Sequence, residues 1–183
     1  MTIQLPKQYA DLVNRYQTPL AREALKLFGT TEFAGKSHNP IILGWADELG
    51  ETLDKFYDRD EIPWCGLFMG ICAKRAGYIP PSGFETLRAR SWAKWGDPIH
   101  GEPVLWDVLV FERSGGAHVG IYVGEDTGKC YHVLGGNQGD KVSVVRIAKD
   151  RLLTARREPL NSNVKAKVRL WRDSKGSVSQ NEA

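Results

Sequence analysis

Three side chains suited to nucleophilic catalysis follow one another along this chain. Cys65, in Pro63-Trp64-Cys65-Gly66, opens an apolar run that predicts a helix. His118 opens an apolar run that predicts a strand, and Asn137 follows a double glycine at the end of the next predicted strand. A helix N-terminus or a protonated histidine lowers a thiol pKa from about 8.5 to roughly 3.5–7.5. We therefore predict Cys65 as the nucleophile, His118 as its base and Asn137 as the residue that orients the base.

Each of these residues also has a structural interpretation. A cysteine in a helix is usually a small buried hydrophobe, and this is the interpretation favoured for Cys72 and Cys130. A single strand histidine is more often structural, and Asn137 could be a turn residue with left-handed backbone. His132 is a rival base, but it lies inside an apolar run. The order of the three residues and their predicted elements together favour catalysis.

The elements that must position these residues change character along the chain. Apolar residues with helical spacing predict helices over residues 8–28 with a break at Pro19, over 41–49, over 65–76 and over 84–95. Alternating patterns then predict strands over 104–111, 119–123, 130–134 and 142–147, a short helix or strand over 149–157, and an edge strand over 165–171. The last dozen residues are expected to be disordered. Helices followed by strands indicate an α+β fold, with N-terminal helices packed on a central antiparallel sheet.

Composition indicates an ordinary globular chain. Its 183 residues, 42% of them hydrophobic, suit one domain with a sizeable core. The odd count of three cysteines argues against a disulfide framework, and their spacing does not suggest a metal site. No apolar leader follows Met1 and no run is long enough for a membrane helix, so synthesis in the cytoplasm without a Sec signal is expected. No cofactor is implied, and a monomer is expected.

Charge is distributed unevenly. The net charge is +3, but residues 141–183 carry 11 Lys and Arg against 4 Asp and Glu. A basic end favours an anionic partner such as an envelope polymer, and the alternative is a solvated basic face without a partner. No nucleic-acid module accompanies the charge, so nucleic acid is not expected. The six tryptophans also have two interpretations, since their rings can pack in the core or contact a substrate. Trp64, Trp92 and Trp106 are the candidates for substrate binding.

The motifs together resemble a bacterial and phage family within the NlpC/P60 and CHAP superfamily. The similarity covers roughly residues 20–159. It is carried by residues 63–68 (PWCGLF), 89–96 (ARSWAKWG), 107–111 (DVLVF), 118–124 (HVGIYVG) and 133–138 (VLGGNQ), with residues 35–40 and 151–153 in support. Many CHAP enzymes have a glutamate two positions before the asparagine, where this chain has Gly135, and the family usually has glycine where this chain has Trp106.

This resemblance implies a papain-like catalytic domain over residues 1–159, with a helical lead-in, and a C-terminal strand and basic tail over 160–183. It implies hydrolysis of an amide bond in peptidoglycan, as an endopeptidase or an N-acetylmuramoyl-L-alanine amidase, with Cys65, His118 and Asn137 as the catalytic residues. Such a chain would reach the cell wall by holin-type release, phage tail delivery or specialised secretion. The alternatives are a catalytically silent envelope-binding module, or a papain-like deamidase or acyltransferase acting on a protein or lipid.

Overall fold

Helices occupy the first half of the chain and the sheet occupies the second, as the sequence predicts. The structure is a computed structural model that describes residues 4–35, 37–159, 168–180 and 182. The α-helices are α1 (Pro19–Lys26), α2 (Pro40–Leu49), α3 (Glu51–Asp54) and α4 (Cys65–Arg75). Shorter 3-10 helices cover Lys7–Asn14, Gly83–Thr86, Ala89–Lys94 and Lys149–Arg151. In these described ranges, none of the helices is long and apolar enough to cross a membrane.

One antiparallel sheet contains all six named strands. The strands are β1 (Asp97–Pro98), β2 (Val108–Arg113), β3 (Gly116–Glu125), β4 (Cys130–Gly135), β5 (Ser143–Ala148) and β6 (Leu152–Arg157). Their order across the sheet is β1-β6-β2-β3-β4-β5. The fold is therefore α+β, and β3, which carries His118, lies inside the sheet between β2 and β4.

Capping side chains, prolines and a glycine set several of the helix boundaries. The Thr18 and Asn39 side chains accept hydrogen bonds from the first turns of α1 and α2, which both begin with proline. Gly50 ends α2 with a φ of 135°, as expected of a glycine stop. The helix predicted over 84–95 is instead two 3-10 segments, because the backbone at Arg88 is extended between them. The segment over 149–157 contains both predicted elements, a 3-10 turn followed by β6.

Two apolar clusters hold these elements together. The larger one joins the helices to β3, and includes Leu67, Phe68, Val119 and Ile121. The smaller one lies among strand residues such as Phe111 and also includes Leu109, Tyr122, Tyr131, Val133, Ile147 and Ala155. The helix α4 is buried over nine consecutive residues, from Cys65 to Ala73. Such complete burial fixes α4 against β3, and it sets where the first residue of α4 lies.

The described part of the C-terminal segment packs against the domain. Part of the edge strand predicted over 165–171 lies outside the described residues, and Trp171 forms only an isolated bridge to Glu125. Expected disorder of the last dozen residues is not observed for 172–180 and 182, because Val178 forms a parallel bridge to Arg146 and Glu182 is buried. Residues 181 and 183 lie outside the described residues. This segment therefore adds contacts to the end of β3 and to the edge strand β5.

The basic residues of the C-terminal part are largely paired with acids of the same chain. Arg172 reaches Asp11 at 2.7 Å, and Arg169 reaches Glu125 at 2.5 Å. Other basic residues that form ion pairs are Arg146, Lys149, Arg151, Arg157 and Lys175. The acidic partners lie in the first 140 residues as well as in the tail. The basic residues of the C-terminal part therefore largely form ion pairs between segments of the same chain.

Candidate active site

Cys65 is the first residue of α4, and it lies beside the strand residue that follows His118. The pairing of β3 with β4 stops at Ile121 and Leu134, so the start of β3 has no β4 partner. The N-terminus of α4 occupies this opening, since the Val119 N–H lies close enough to the Cys65 sulfur to lower the pKa of the thiol by hydrogen bonding. A Cβ on Gly136 would contact Phe68 and Trp64, which shows how closely α4 approaches the chain after β4. The predicted nucleophile, Cys65, therefore lies where β3 and β4 are no longer paired.

Gly66 is required by packing against the neighbouring 3-10 segment. A Cβ at this position would collide with the backbone carbonyl oxygens of Thr86 and Leu87. The glycine therefore lets α4 approach the backbone of that segment closely. That close approach fixes the depth at which Cys65 lies, 5% exposed.

His118 is held by Gln138 through a hydrogen bond of 2.9 Å between His118 Nε2 and Gln138 Oε1. The Gln138 amide nitrogen donates to the carbonyl oxygens of Val133 and Ser143, at 3.1 and 2.6 Å. These two acceptors fix the orientation of the amide, so Oε1 must face the imidazole. His118 Nε2 therefore carries the proton as a donor, and the lone pair of the neutral ring is on Nδ1. This is the tautomer in which Nδ1 can accept a proton.

Gln138, not Asn137, takes the orienting position. Asn137 has a φ of 55° and turns the chain, and within the described ranges its side chain makes no hydrogen bond to His118. A Cβ at Gly135 would lie 2.8 Å from Gln138 Oε1 and 3.2 Å from His118 Nε2. The space that a side chain at 135 would need is therefore filled by Gln138. The sequence predicts Asn137 in this position, whereas in the structure the turn at Asn137 leaves the hydrogen bond to the histidine to the following residue, Gln138.

Burial dominates the protonation of both candidate catalytic groups. It raises the pKa of Cys65, and the charge of Arg113 and the N–H groups of Val119 and Gly66 offset only part of that rise. Burial also lowers the pKa of His118 to about 4, with Glu182 and Gln138 acting in the opposite direction. In this state the pair is a thiol and a neutral imidazole at pH 7. The expected lowering of the Cys65 pKa by its helix N-terminus is outweighed by loss of hydration.

Alkylation of Cys65 is expected to be slow at neutral pH and to accelerate with pH. A free cysteine is about 3% thiolate at pH 7, and a raised pKa makes the Cys65 fraction smaller. The rate with iodoacetamide should rise about tenfold per pH unit between pH 7 and 9. Peptide mass spectrometry separates Cys65 from Cys72 and Cys130. A rate plateau between pH 5 and 8 would instead reveal a thiolate–imidazolium pair.

Glu182 is a buried acid close to His118 that sequence reasoning missed. It pairs with Arg151 through contacts of 2.7 and 2.9 Å. Burial raises the pKa of Glu182, but the Arg151 hydrogen bonds, together with His118 in its protonated form at low pH, outweigh that effect and the net shift is downward. The C-terminal segment therefore brings a carboxylate into the electrostatic environment of the histidine. Glu182 lies in the segment expected to be disordered, and nothing in the sequence around it indicates that it is close to His118.

The three tryptophans predicted to bind substrate are buried, and each indole N–H has a partner inside the protein. Trp64 donates to Glu32 at 2.6 Å, and Trp92 donates to the Thr86 carbonyl at 3.0 Å. Trp106 has a φ of 76° and donates to the Tyr16 carbonyl at 2.7 Å. All three contribute to the larger apolar cluster, so the structure places them in the core and not on a binding surface.

The remaining cysteines and the rival histidine are structural in this arrangement. Cys65, Cys72 and Cys130 are free thiols, and all three are buried. His132 is buried between the Tyr9 hydroxyl at 2.7 Å and Asp126 Oδ2 at 3.2 Å. Both of its ring nitrogens are thereby engaged, which leaves His118 as the candidate base.

Among the residues that the structure describes, one group of side chains has metal-ligating chemistry. His38, Asp60 and Glu61 offer ligand atoms that lie within 4.8 Å of one another. The buried Asp60 carboxylate already accepts hydrogen bonds from the N–H groups of Phe33 and Asn39, at 3.1 and 2.7 Å. These contacts organise the loop between α1 and α2, and they account for the cluster without a metal.

Comparison with known proteins supplies no assignment. A scan against models of protein families and a search of curated proteins both found no match. Support for a function therefore comes from the residues and their geometry.

Proposed function

We propose that this protein is a cysteine-dependent hydrolase of amide bonds in peptidoglycan, built on a papain-like fold of the NlpC/P60 and CHAP type. The observation that carries this proposal is the joint arrangement of Cys65, His118 and Gln138. Cys65 begins a buried helix beside the residue after His118, and Gln138 fixes the histidine with its Nδ1 lone pair available. The motifs that resemble the superfamily supply the substrate class.

The reaction would proceed through an acyl-enzyme. Cys65 Sγ attacks the scissile carbonyl carbon while its proton passes to His118 Nδ1. The imidazolium then donates that proton to the leaving amine as the carbon–nitrogen bond breaks. Water deprotonated by His118 Nδ1 attacks the thioester, which releases the carboxylic acid and restores the thiol. Gln138 Oε1 accepts a hydrogen bond from the His118 Nε2–H group throughout, so the ring keeps one orientation in both steps.

The helix N-terminus would stabilise the tetrahedral intermediate. The first four N–H groups of a helix have no acceptor within it, and Cys65 is the first residue of α4. Its backbone N–H would donate to the oxyanion, and the helix dipole favours negative charge there. The substrate must also bring the thiol and imidazole together, since His118 Nδ1 makes no hydrogen bond within the described part of the chain.

Digestion of purified sacculi tests the proposal. We expect soluble fragments with new amino groups, and product masses that identify either a cleaved peptide cross-bridge or stem, or a peptide detached from muramic acid. Intact glycan with no new amino group would contradict amide hydrolysis.

A catalytically silent envelope-binding module is the second candidate, because Cys65 and His118 are both buried in this state. It predicts that the protein sediments with sacculi and releases no fragment. A deamidase or acyltransferase would instead modify a protein or lipid and leave sacculi unchanged. Mass spectrometry of the products separates these outcomes.

A further inference from the structure

The cavity that contains Cys65 is lined by three arginines. It has a volume of about 280 Å³ and includes Arg88, Arg90 and Arg113, with Pro63, Leu87, Ala89, Gly116 and Ala117 as its other lining residues. No acidic side chain is among these described lining residues. Arg113 is close enough to lower the pKa of Cys65 and to influence His118. The charged side chains that line the space beside the candidate nucleophile are therefore all cationic.

A larger depression adjoins this cavity. A neighbouring depression of about 700 Å³ shares Arg88 and Arg90 with the Cys65 cavity. Its other lining residues are the apolar Ile79, Pro80, Pro81 and Trp95, the hydroxyl residues Ser82 and Ser91, the cation Lys94 and the acid Glu85. The two shared arginines thus lie between the Cys65 cavity and this depression. A ligand that occupies both would contact the two arginines and this partly apolar surface.

Both shared arginines are exposed and weakly engaged. Arg88 contacts Glu85 at 2.7 Å, with side chains 69% and 50% exposed. Arg90 contacts Glu112 at 3.2 Å, with side chains 57% and 64% exposed. Exposed ion pairs of this kind contribute little stability. A guanidinium has five donors and pairs with a carboxylate through two parallel hydrogen bonds, so each arginine can turn to a ligand.

We propose that Arg88 and Arg90 form a carboxylate-binding subsite, and that the preferred substrate is a peptide with a free carboxylate next to the scissile amide. This inference rests on the proposed function, because it assigns specificity to the same site. Arg113 lines the inner end of the cavity and extends the positive surface towards Cys65. A peptide whose carboxylate is converted to a carboxamide would keep its shape and lose this recognition.

Two synthetic stem peptides that differ only in a free carboxylate or a carboxamide next to the scissile bond test this subsite. Binding of both to Cys65→Ala is measured by calorimetry, so the result does not depend on turnover, and cleavage by the wild type is measured in parallel. We expect the carboxylate form to bind at least about tenfold more tightly, as two charge-assisted hydrogen bonds allow. The cleavage preference should arise in KM and not in kcat.

Substitutions identify the residues responsible. In the Cys65→Ala background, Arg88→Gln/Arg90→Gln should remove the preference, and Arg88→Lys/Arg90→Lys should keep part of it. Arg15→Gln/Arg22→Gln removes the same charge outside both cavities and should change nothing. Circular dichroism confirms folding of each variant.

Equal binding of the two peptides, or a preference that survives Arg88→Gln/Arg90→Gln, would overturn the subsite. Selective binding without cleavage of either peptide by the wild type would leave the subsite supported and would contradict the hydrolase proposal instead.

Discussion

Replacement of Cys65 by alanine is expected to abolish fragment release from sacculi, with a loss on the order of 10⁴-fold or more. The reason is that no other group near His118 can form the thioester. Cys65 is 5% exposed and its side chain is small, so the change removes one sulfur atom from a packed site. The melting temperature should therefore shift by only a few degrees. Product mass spectrometry and thermal melting, run on the same preparation, measure both effects.

Cys72→Ala is the matched control. Cys72 lies in the same helix and is also buried, but it is remote from the helix N-terminus. This variant should lose some stability and keep the specific activity of the folded protein. Full activity in Cys65→Ala, or equal loss in both variants, would contradict the assignment of Cys65 as the nucleophile.

The second large effect is expected for Gln138→Met, which keeps the length of the side chain and removes the amide. Activity should fall by on the order of 100-fold, because the imidazole loses the acceptor that selects its tautomer and orientation. Loss of the donor to the Val133 and Ser143 carbonyls should also lower the free energy of unfolding, by about 2–3 kcal/mol. Activity is therefore measured at a temperature where circular dichroism shows the variant to be folded.

Asn137→Gly separates the two neighbouring amides. Glycine tolerates the φ of 55° at this position, so the turn is kept while the side chain is removed. We expect activity close to that of the wild type. Nitrogen-15 spectra of the imidazoles should show His118 protonated at Nε2 in the wild type and in Asn137→Gly, and a mixture of tautomers in Gln138→Met. A loss of activity in Asn137→Gly that exceeds the loss in Gln138→Met would reverse the assignment.

Local patterns were sufficient to predict most elements around the site. The apolar run after Cys65 predicted a helix over 65–76 that the structure has as Cys65–Arg75. Alternation predicted β3 and β4, because a strand inside a sheet needs apolar residues on the faces it buries. The prediction of one helix over 84–95 was wrong, because a single residue with extended backbone, Arg88, divides the segment. No residue type in that stretch indicates the break.

Site details depended on longer-range geometry. Both amides of Asn137-Gln138 have suitable chemistry, and the choice between them depends on a backbone turn and on two carbonyl oxygens from elsewhere in the sheet. The tryptophans were equally suited to a groove or a core, and only packing decides between these. The basic C-terminal part suggested an anionic partner, whereas the structure pairs most of it with acids that lie far away in sequence.

The sequence by itself determined the order of helices and strands, the position of a cysteine at a helix start and the position of a histidine at a strand start. These properties depend on neighbours along the chain, so local propensity and periodicity reveal them. The tertiary structure decided which amide holds His118, that burial keeps Cys65 as a thiol at neutral pH, and that Glu182 lies near the histidine. Protonation and hydrogen-bond partners depend on every group that folding brings near, and those groups come from distant parts of the chain.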